Sequence, residues 1–198
     1  MFGFGKKKTS RNDTATTLAN SYLVSAAPHN HARSPFAYSV ILLLAHDEKG
    51  AMGVDLAKAH RATLCGEGSP ISHLKQPWLR ELPLFCGGPV QDAQMWLLTD
   101  QSHLIPAPTL QAGPYCFTTN MDFLDRFDTL REPARLKTGV GYCGWAPGQL
   151  ESEIERGRWW LMPTEVADPF STPWWSLYME CLNYEIQQRK HEGDPLPA

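Results

Sequence analysis

The stretch GVGYCGWAPGQLESEIERGRWW, Gly139 to Trp160, switches from one hydrophobic rhythm to another and back. In VGYCGW, β-branched and aromatic residues alternate with glycine, the pattern of a strand that another backbone approaches closely. Gly144 and Gly148 flank Pro147 and read as a tight turn with conformational freedom on both sides. The proline suits a first helical turn, where its missing N–H would have no partner anyway. Leu150 and Ile154 then stand at i, i+4 and make one apolar stripe. Glu151, Glu153 and Glu155 face the solvent side, and acids near the start of a helix favour its dipole. Gly157 is placed to end the helix, and RWWL reads as the next strand. The segment predicts a β-α-β unit with a helix of about ten residues.

Two uses of this glycine corner follow from its chemistry. Free N–H groups at the helix entry are suited to an anion, and the same glycines allow segments to nest closely. The glutamates immediately downstream disfavour a phosphate, so a packing corner is the preferred reading, with no bond-making role.

Working outward, a chain of 198 residues is long enough for one domain with a sizeable core. Charged residues at 20% and hydrophobic residues at 42% place it among soluble globular chains. A net charge of −3 and a pI near 6.1 offer the body of the domain no electrostatic footprint for nucleic acid. Seven tryptophans, with doublets at Trp159-Trp160 and Trp174-Trp175, point to a large aromatic core or an interface. The five cysteines, Cys65, Cys86, Cys116, Cys143 and Cys181, include no CxxC pair, so free thiols in a reducing cytoplasm are expected. No apolar segment follows the N-terminal lysines as a secretory signal would require, and the longest apolar run, VILLLA, is too short to cross a bilayer. The chain is expected to be cytoplasmic and without membrane contact.

Residues 1–17 read as a polar tail, residues 18–190 as the domain and 191–198 as a frayed end. SYLVSA is a first strand, and FAYSVILLLAHD (36–47) a central strand apolar on both faces at its middle. EKG turns into AMGVDLAK (51–58) as a hairpin partner. Residues 59–82 look irregular, with a short helix around Ser72–Leu79. LPLFCGGPV (82–90) reads as a strand ending in a glycine turn, with MWLLTD (95–100) as its antiparallel mate. After a Pro-rich loop come the strand YCFTT, a helix MDFLDRFDTL capped by Asn120 or Thr119, and a last helix over about 173–190. On that last helix Trp174, Leu177, Tyr178, Cys181 and Leu182 share the core side. Helices interspersed among antiparallel hairpins give an α+β class: a single domain with a curved, mixed, mostly antiparallel sheet and flanking helices.

Four blocks carry a family resemblance: SVILLLAHDEKGAMGV (39–54), CGGPV (86–90), FTTNMDFL (117–124) and GYCGWAPGQLESEI (141–154), followed by TPWWSLYMECL near the C-terminus. Together they resemble the AlgH/YqgE family of small bacterial proteins, over most of residues 21–183. The resemblance implies a compact α+β domain with a barrel-like sheet and no settled enzymatic activity. Some members are described as transcriptional regulators, yet this sequence shows no helix-turn-helix and no basic recognition helix. It departs from the family pattern at Ala57, where an Asn is common, at Ala59, where a Pro is common, at Tyr38, where a basic residue is usual, and at Ala45, where an acid precedes the retained His46. Cys143 stands where relatives often carry Ala.

The candidate cluster for ligand or partner binding joins His46, Asp47, Lys58, the Gly87-Gly88 turn, Trp145 and Gln149. His46 beside Asp47 is a potential base with an orienting acid, set against a strand-end histidine bonding a backbone group. Cys143 is a potential nucleophile only with a base nearby; between glycines it reads more readily as a small core filler. Gln149 and Glu153, at i, i+4, brace one another. His29 and His31 lack a third ligand at fixed spacing, so neither a metal nor a cofactor is indicated. The leading expectation is a non-enzymatic binding or regulatory domain acting through an unidentified protein partner. Behind it stand a nucleic-acid regulator using Lys6, Lys7, Lys8 and Arg11, and then a hydrolase or transferase using His46 or Cys143.

Overall fold

The computed structural model of the chain describes residues 17–26, 34–64, 71 and 73–194. Lys6, Lys7, Lys8, Arg11, His29, His31, Cys65 and Ser72 lie outside the described residues. Ten strands form one sheet. In chain order they are β1 (Ser21–Ser25), β2 (Val40–Asp47), β3 (Gly50–Asp55), β4 (Ala59–Thr63), β5 (Pro83–Cys86), β6 (Val90–Thr99), β7 (Leu110–Ala112), β8 (Tyr115–Thr118), β9 (Leu136–Trp145) and β10 (Trp159–Pro163). The helices are α1 (Pro77–Arg80), α2 (Leu124–Asp128), α3 (Gln149–Glu155) and α4 (Trp174–Glu192), with short 3₁₀ turns between. No helix among the described residues is long and apolar enough to cross a membrane.

The main path through the sheet runs β10-β1-β2-β3-β9-β6-β8-β7, with β4 and β5 branching from it. β7 packs against β2 from the far end of that path, so the sheet curls towards a barrel without closing. β5 runs parallel to β9, while the other pairings among the described residues are antiparallel, which makes the sheet mixed. Antiparallel steps from β9 to β3, β2, β1 and β10 leave β9 and β10 parallel with three strands between them. The expected β-α-β unit is therefore present as a wide crossover through α3.

Alternation explains how the middle of β2 is apolar on both faces. Val40, Leu42 and Leu44 join the core shared with Leu177, Tyr178 and Cys181 of α4. Ile41 and Leu43 join the opposite core, under Leu150 of α3. The same rule divides β6, where Trp96 and Leu98 face the α4 core and Leu97 faces a third core with Leu124 and Phe127 of α2.

Several expectations are corrected. Residues 35–38 are turns rather than strand, and β2 starts only at Val40: Ala37 N–H donates to Ser34 O at 3.2 Å and Ser39 N–H to Phe36 O at 3.2 Å, with Tyr38 held at φ +58°. The stretch 59–82 is not irregular throughout, because Ala59–Thr63 forms β4 against β5. β5 and β6 are not mates: β5 pairs with β4 and β9, and β6 pairs with β9 and β8. The helix expected near Ser72–Leu79 is one turn starting at Pro77, and the Pro-rich loop contains β7. Pro147 lies before α3, whose N-cap is Gly148 at φ +72°, so glycine rather than proline makes the entry. Asn120 does cap its helix, accepting from Asp122 N–H at 3.0 Å.

Candidate functional site

The residues that the sequence groups into one cluster occupy two places. The register His46↔Ala51↔Trp145 across β2, β3 and β9 brings His46 and Trp145 to the base of α3. There His46 Nδ1 accepts from Leu18 N–H at 3.1 Å, so Nε2 carries the ring proton and donates to Glu151 Oε1 at 2.9 Å. Hydrogen bonds from its own backbone N–H and from His46 hold the Glu151 carboxyl below its ordinary range. Asp47 takes no part, since its carboxylate accepts from Lys49 N–H at 2.8 Å inside the hairpin turn. Gln149 spans the corner: its Oε1 accepts from Ala146 N–H at 3.1 Å and its Nε2 donates to Glu153 Oε1 at 2.9 Å. The other Glu153 oxygen accepts the indole N–H groups of Trp145 at 3.1 Å and Trp159 at 2.8 Å. Burial opposes the Glu153 charge, but the bonds from Trp159, Gln149 and Trp145 outweigh it and hold the carboxyl below its usual range.

Lys58, Gly87 and Gly88 gather instead around Asp55, a buried carboxylate at the end of β3. Asp55 Oδ1 accepts from Ala57 N–H at 3.0 Å and Val40 N–H at 3.4 Å, and Oδ2 faces Lys58 Nζ at 3.5 Å. Lys58 Nζ also donates to Ser39 Oγ at 2.7 Å and to the Pro35 carbonyl. Burial drives the Asp55 carboxyl above its ordinary value against the pull of Lys58. Gly87 O accepts from Asp55 N–H at 2.9 Å and from the Cys143 thiol at 3.3 Å. A methyl group on Gly88 would sit 2.3 Å from the Tyr142 carbonyl. Cys143 is 2% exposed and burial pushes its thiol well up. Its hydrogen-bond partner is a carbonyl and not a base, an arrangement opposed to thiolate chemistry.

A different feature stands out on the surface. Three of the five exposed large hydrophobic side chains among the described residues, Tyr38 (60% exposed), Trp175 (68%) and Met179 (50%), border one cavity of about 270 Å³. Ala57, Trp174 and Tyr178 complete it. Tyr38 packs edge-on against Tyr178 with centroids 5.4 Å apart, and Trp174 packs on Trp175 at 5.7 Å. The positive φ of Tyr38 is an uncommon conformation for a bulky residue, and backbone of this kind collects at functional surfaces. Sequence reasoning marks the Trp174-Trp175 doublet, but it does not bring Tyr38 to it. The only local signal is an aromatic residue three places after Pro35.

Trp174 and Trp175 also border a second cavity, of about 260 Å³, with Phe85, Phe170 and Lys137. Lys137 sits inside β9 at 8% exposure with Nζ 4.1 Å from the Phe85 ring centroid. Burial lowers its amine to about 8.

The fold and the packed glycine corner define a class of small α+β domains built on one open, curled sheet with helices on both faces. A family model described as AlgH-like matches residues 23–187, and the chain belongs to that family. A UPF0301 protein of Sphingopyxis alaskensis is 31% identical over 161 residues, covering 81% of this chain and 86% of that protein. The solution structure of the AlgH protein from Pseudomonas aeruginosa superposes with a TM-score of 0.65 at 26% identity, covering 96% of this chain and 95% of that one. A crystal structure of a Corynebacterium diphtheriae protein, at 24% identity and a TM-score of 0.60 over 86% of each chain, shares the fold.

Proposed function

We propose that the chain is a non-enzymatic binding domain of a regulatory kind, which engages a protein partner through the Tyr38–Trp175–Met179 face. The observation that carries this reading is the concentration of exposed aromatic and Met side chains around one concavity, on the first half of α4 and the turn before β2. Monomer surfaces scatter such residues singly, whereas interface centres collect them. The residues bordering this cavity carry no charge, so the matching surface of the partner is apolar. Two of them, Tyr38 and Ala57, are places where the chain departs from the more polar pattern of the proteins it resembles.

The alternatives have less support. The net charge of −3 offers nucleic acid no electrostatic footprint, and the ring nitrogens of His46 are engaged with Leu18 N–H and Glu151. Cys86, Cys116, Cys143 and Cys181 are free thiols, which supports the cytoplasmic setting expected from the sequence.

The test is a photo-crosslinking residue at position 38 of the full chain, in cells, followed by purification and titration of whatever protein it labels. The expected result is a defined heterologous adduct. Its affinity should fall by about 30-fold or more when Trp175 and Met179 are both replaced by alanine, since a single hot-spot truncation already costs about 2 kcal/mol or more. An adduct only with a second copy of the chain, no adduct, or an affinity indifferent to the double substitution would each overturn the reading.

A further inference from the structure

The polar clusters around Asp55 and Glu153 satisfy themselves internally; the amine of Lys137 does not. Among the described residues its Nζ has neither a hydrogen-bond acceptor nor an ion-pair partner, only the face of Phe85. The carboxylate that acts on it is Asp168, and Asp168 is already saturated. Its oxygens accept from Arg135 Nη1 at 2.9 Å and Nη2 at 2.8 Å, from Ser171 Oγ at 2.8 Å and from Phe170 N–H at 3.0 Å. A side chain more than nine-tenths buried therefore brings a positive charge to a cavity walled by Phe85, Phe170, Trp174 and Trp175, with no counter-ion of its own. The amine keeps some contact with solvent through the cavity, and its partial desolvation favours an acceptor that enters there.

A second, independent feature points the same way. The 19-residue helix α4 begins at this cavity, and Pro173, Trp174 and Trp175 of its first turn line it. The N–H groups of Ser176 and Leu177 bond back to Pro173 O at 2.9 and 3.1 Å, whereas those of Trp174 and Trp175 make no bond within the described chain. Unpaired N–H groups and the positive end of the helix dipole favour an anion.

We propose that this cavity, between Lys137 of β9, Phe85 of β5 and the start of α4, binds an organic carboxylate with an apolar, aromatic-sized body. The charge of Lys137 and the first N–H groups of α4 take the carboxylate, and the aromatic walls take the body. At about 260 Å³ the cavity lies at the small end of ligand-binding pockets, a size that suits a single-ring acid. The site does not rest on the protein-partner reading, although Trp174 and Trp175 border both cavities. The carboxylate has two sources consistent with this chemistry: a free small acid, or the C-terminus of a polypeptide ending in an aromatic residue.

The experiment titrates the full chain calorimetrically with phenylacetate and with its neutral isostere phenylacetamide. In parallel it uses a short peptide ending in phenylalanine, with a free or an amidated C-terminus. Acid is expected to bind about tenfold or more tighter than amide, as a charge-assisted contact implies. The preference should fall several-fold in Lys137→Met, which keeps the apolar stem and leaves only the contribution of the α4 N–H groups, and persist in Lys137→Arg. It should also fade as pH rises through about 8, because the amine then loses its proton. Asp168 and Arg135, the charged groups nearby, hold their charges across that range, and the cavity lining contains no other titratable side chain. A preference in phenylacetate assigns a small acid, and one confined to the peptide assigns a chain terminus. Equal binding of acid and amide in both series, no binding of either, or a preference that is undiminished in Lys137→Met or flat with pH overturns the proposal.

Discussion

At φ +69°, with Gly88 O only 2.3 Å from where a Cβ would be, Gly141 leaves no room for any other residue. Gly144, three places on, is extended and exposed, and a methyl group there would make ordinary contacts with the Tyr142 ring at 3.5 Å and the Val90 side chain at 4.0 Å. Gly141→Ala is expected to cost on the order of 2–4 kcal/mol in denaturant unfolding, combining backbone strain with overpacking. Gly144→Ala should stay within about 1 kcal/mol. The sequence marks this stretch as a close backbone approach and assigns the special conformations to Gly144 and Gly148, of which Gly148, at φ +72°, has one. The approach falls on Gly141 because β6 bulges between Val90 and Met95, bringing Val90 O to 3.2 Å of the would-be Cβ. That bulge is set about fifty residues earlier in the chain, beyond the reach of any local pattern.

Among elements, α3 shows the same division. Its apolar stripe and the Gln149–Glu153 brace are legible because both ends of each contact lie on one helix. Read from the helix alone, Glu153 is a solvated acid. In the fold it is the shared acceptor of two indoles, one at the end of β9 and one at the start of β10. Glu153→Ala leaves both N–H groups without their acceptor and is expected to destabilise by about 2 kcal/mol. A thermal melt checks the loss, and a red shift of tryptophan emission locates it at the corner. β4 went unread because AHRAT shows neither strict alternation nor a strong β-former run; its strand state comes from β5, which pairs with it.

For the molecule as a whole, Arg135 ties together parts far apart in the chain. Its guanidinium meets Asp100 after β6 at 2.8 Å and Asp168 ahead of α4 at 2.8 Å, and it stacks 4.9 Å from the Phe170 centroid. Partial burial opposes the Asp168 charge, but bonds from Arg135, Phe170 N–H and Ser171 overcome it and bring the carboxyl from 3.8 down to about 2. A depressed acid contributes stability above its unfolded value and loses it as pH falls through the folded one. Melting of the natural chain should therefore fall over the window from 3.8 to about 2 more steeply than that of Asp168→Asn, the two curves converging at the acid end. With the Asp168 side chain 38% exposed, solvent screening keeps the neutral-pH gap near ~1 kcal/mol or less, about 2–4 °C for a chain of this size. Local periodicity was enough for the doubly buried β2, the core side of α4 and the helix after the glycine corner, while the family was legible from the resemblance of whole motif blocks. Periods of 2 and 3.6 residues are properties of short segments and survive in any arrangement that buries them. Which strands pair, why Lys58 and His46 part company, and how Lys137 comes to lie beside Trp174 are matters of long-range partnering. Loop closure separates competing pairings by little free energy, so those choices were made by the packed cores and not by any segment of the chain.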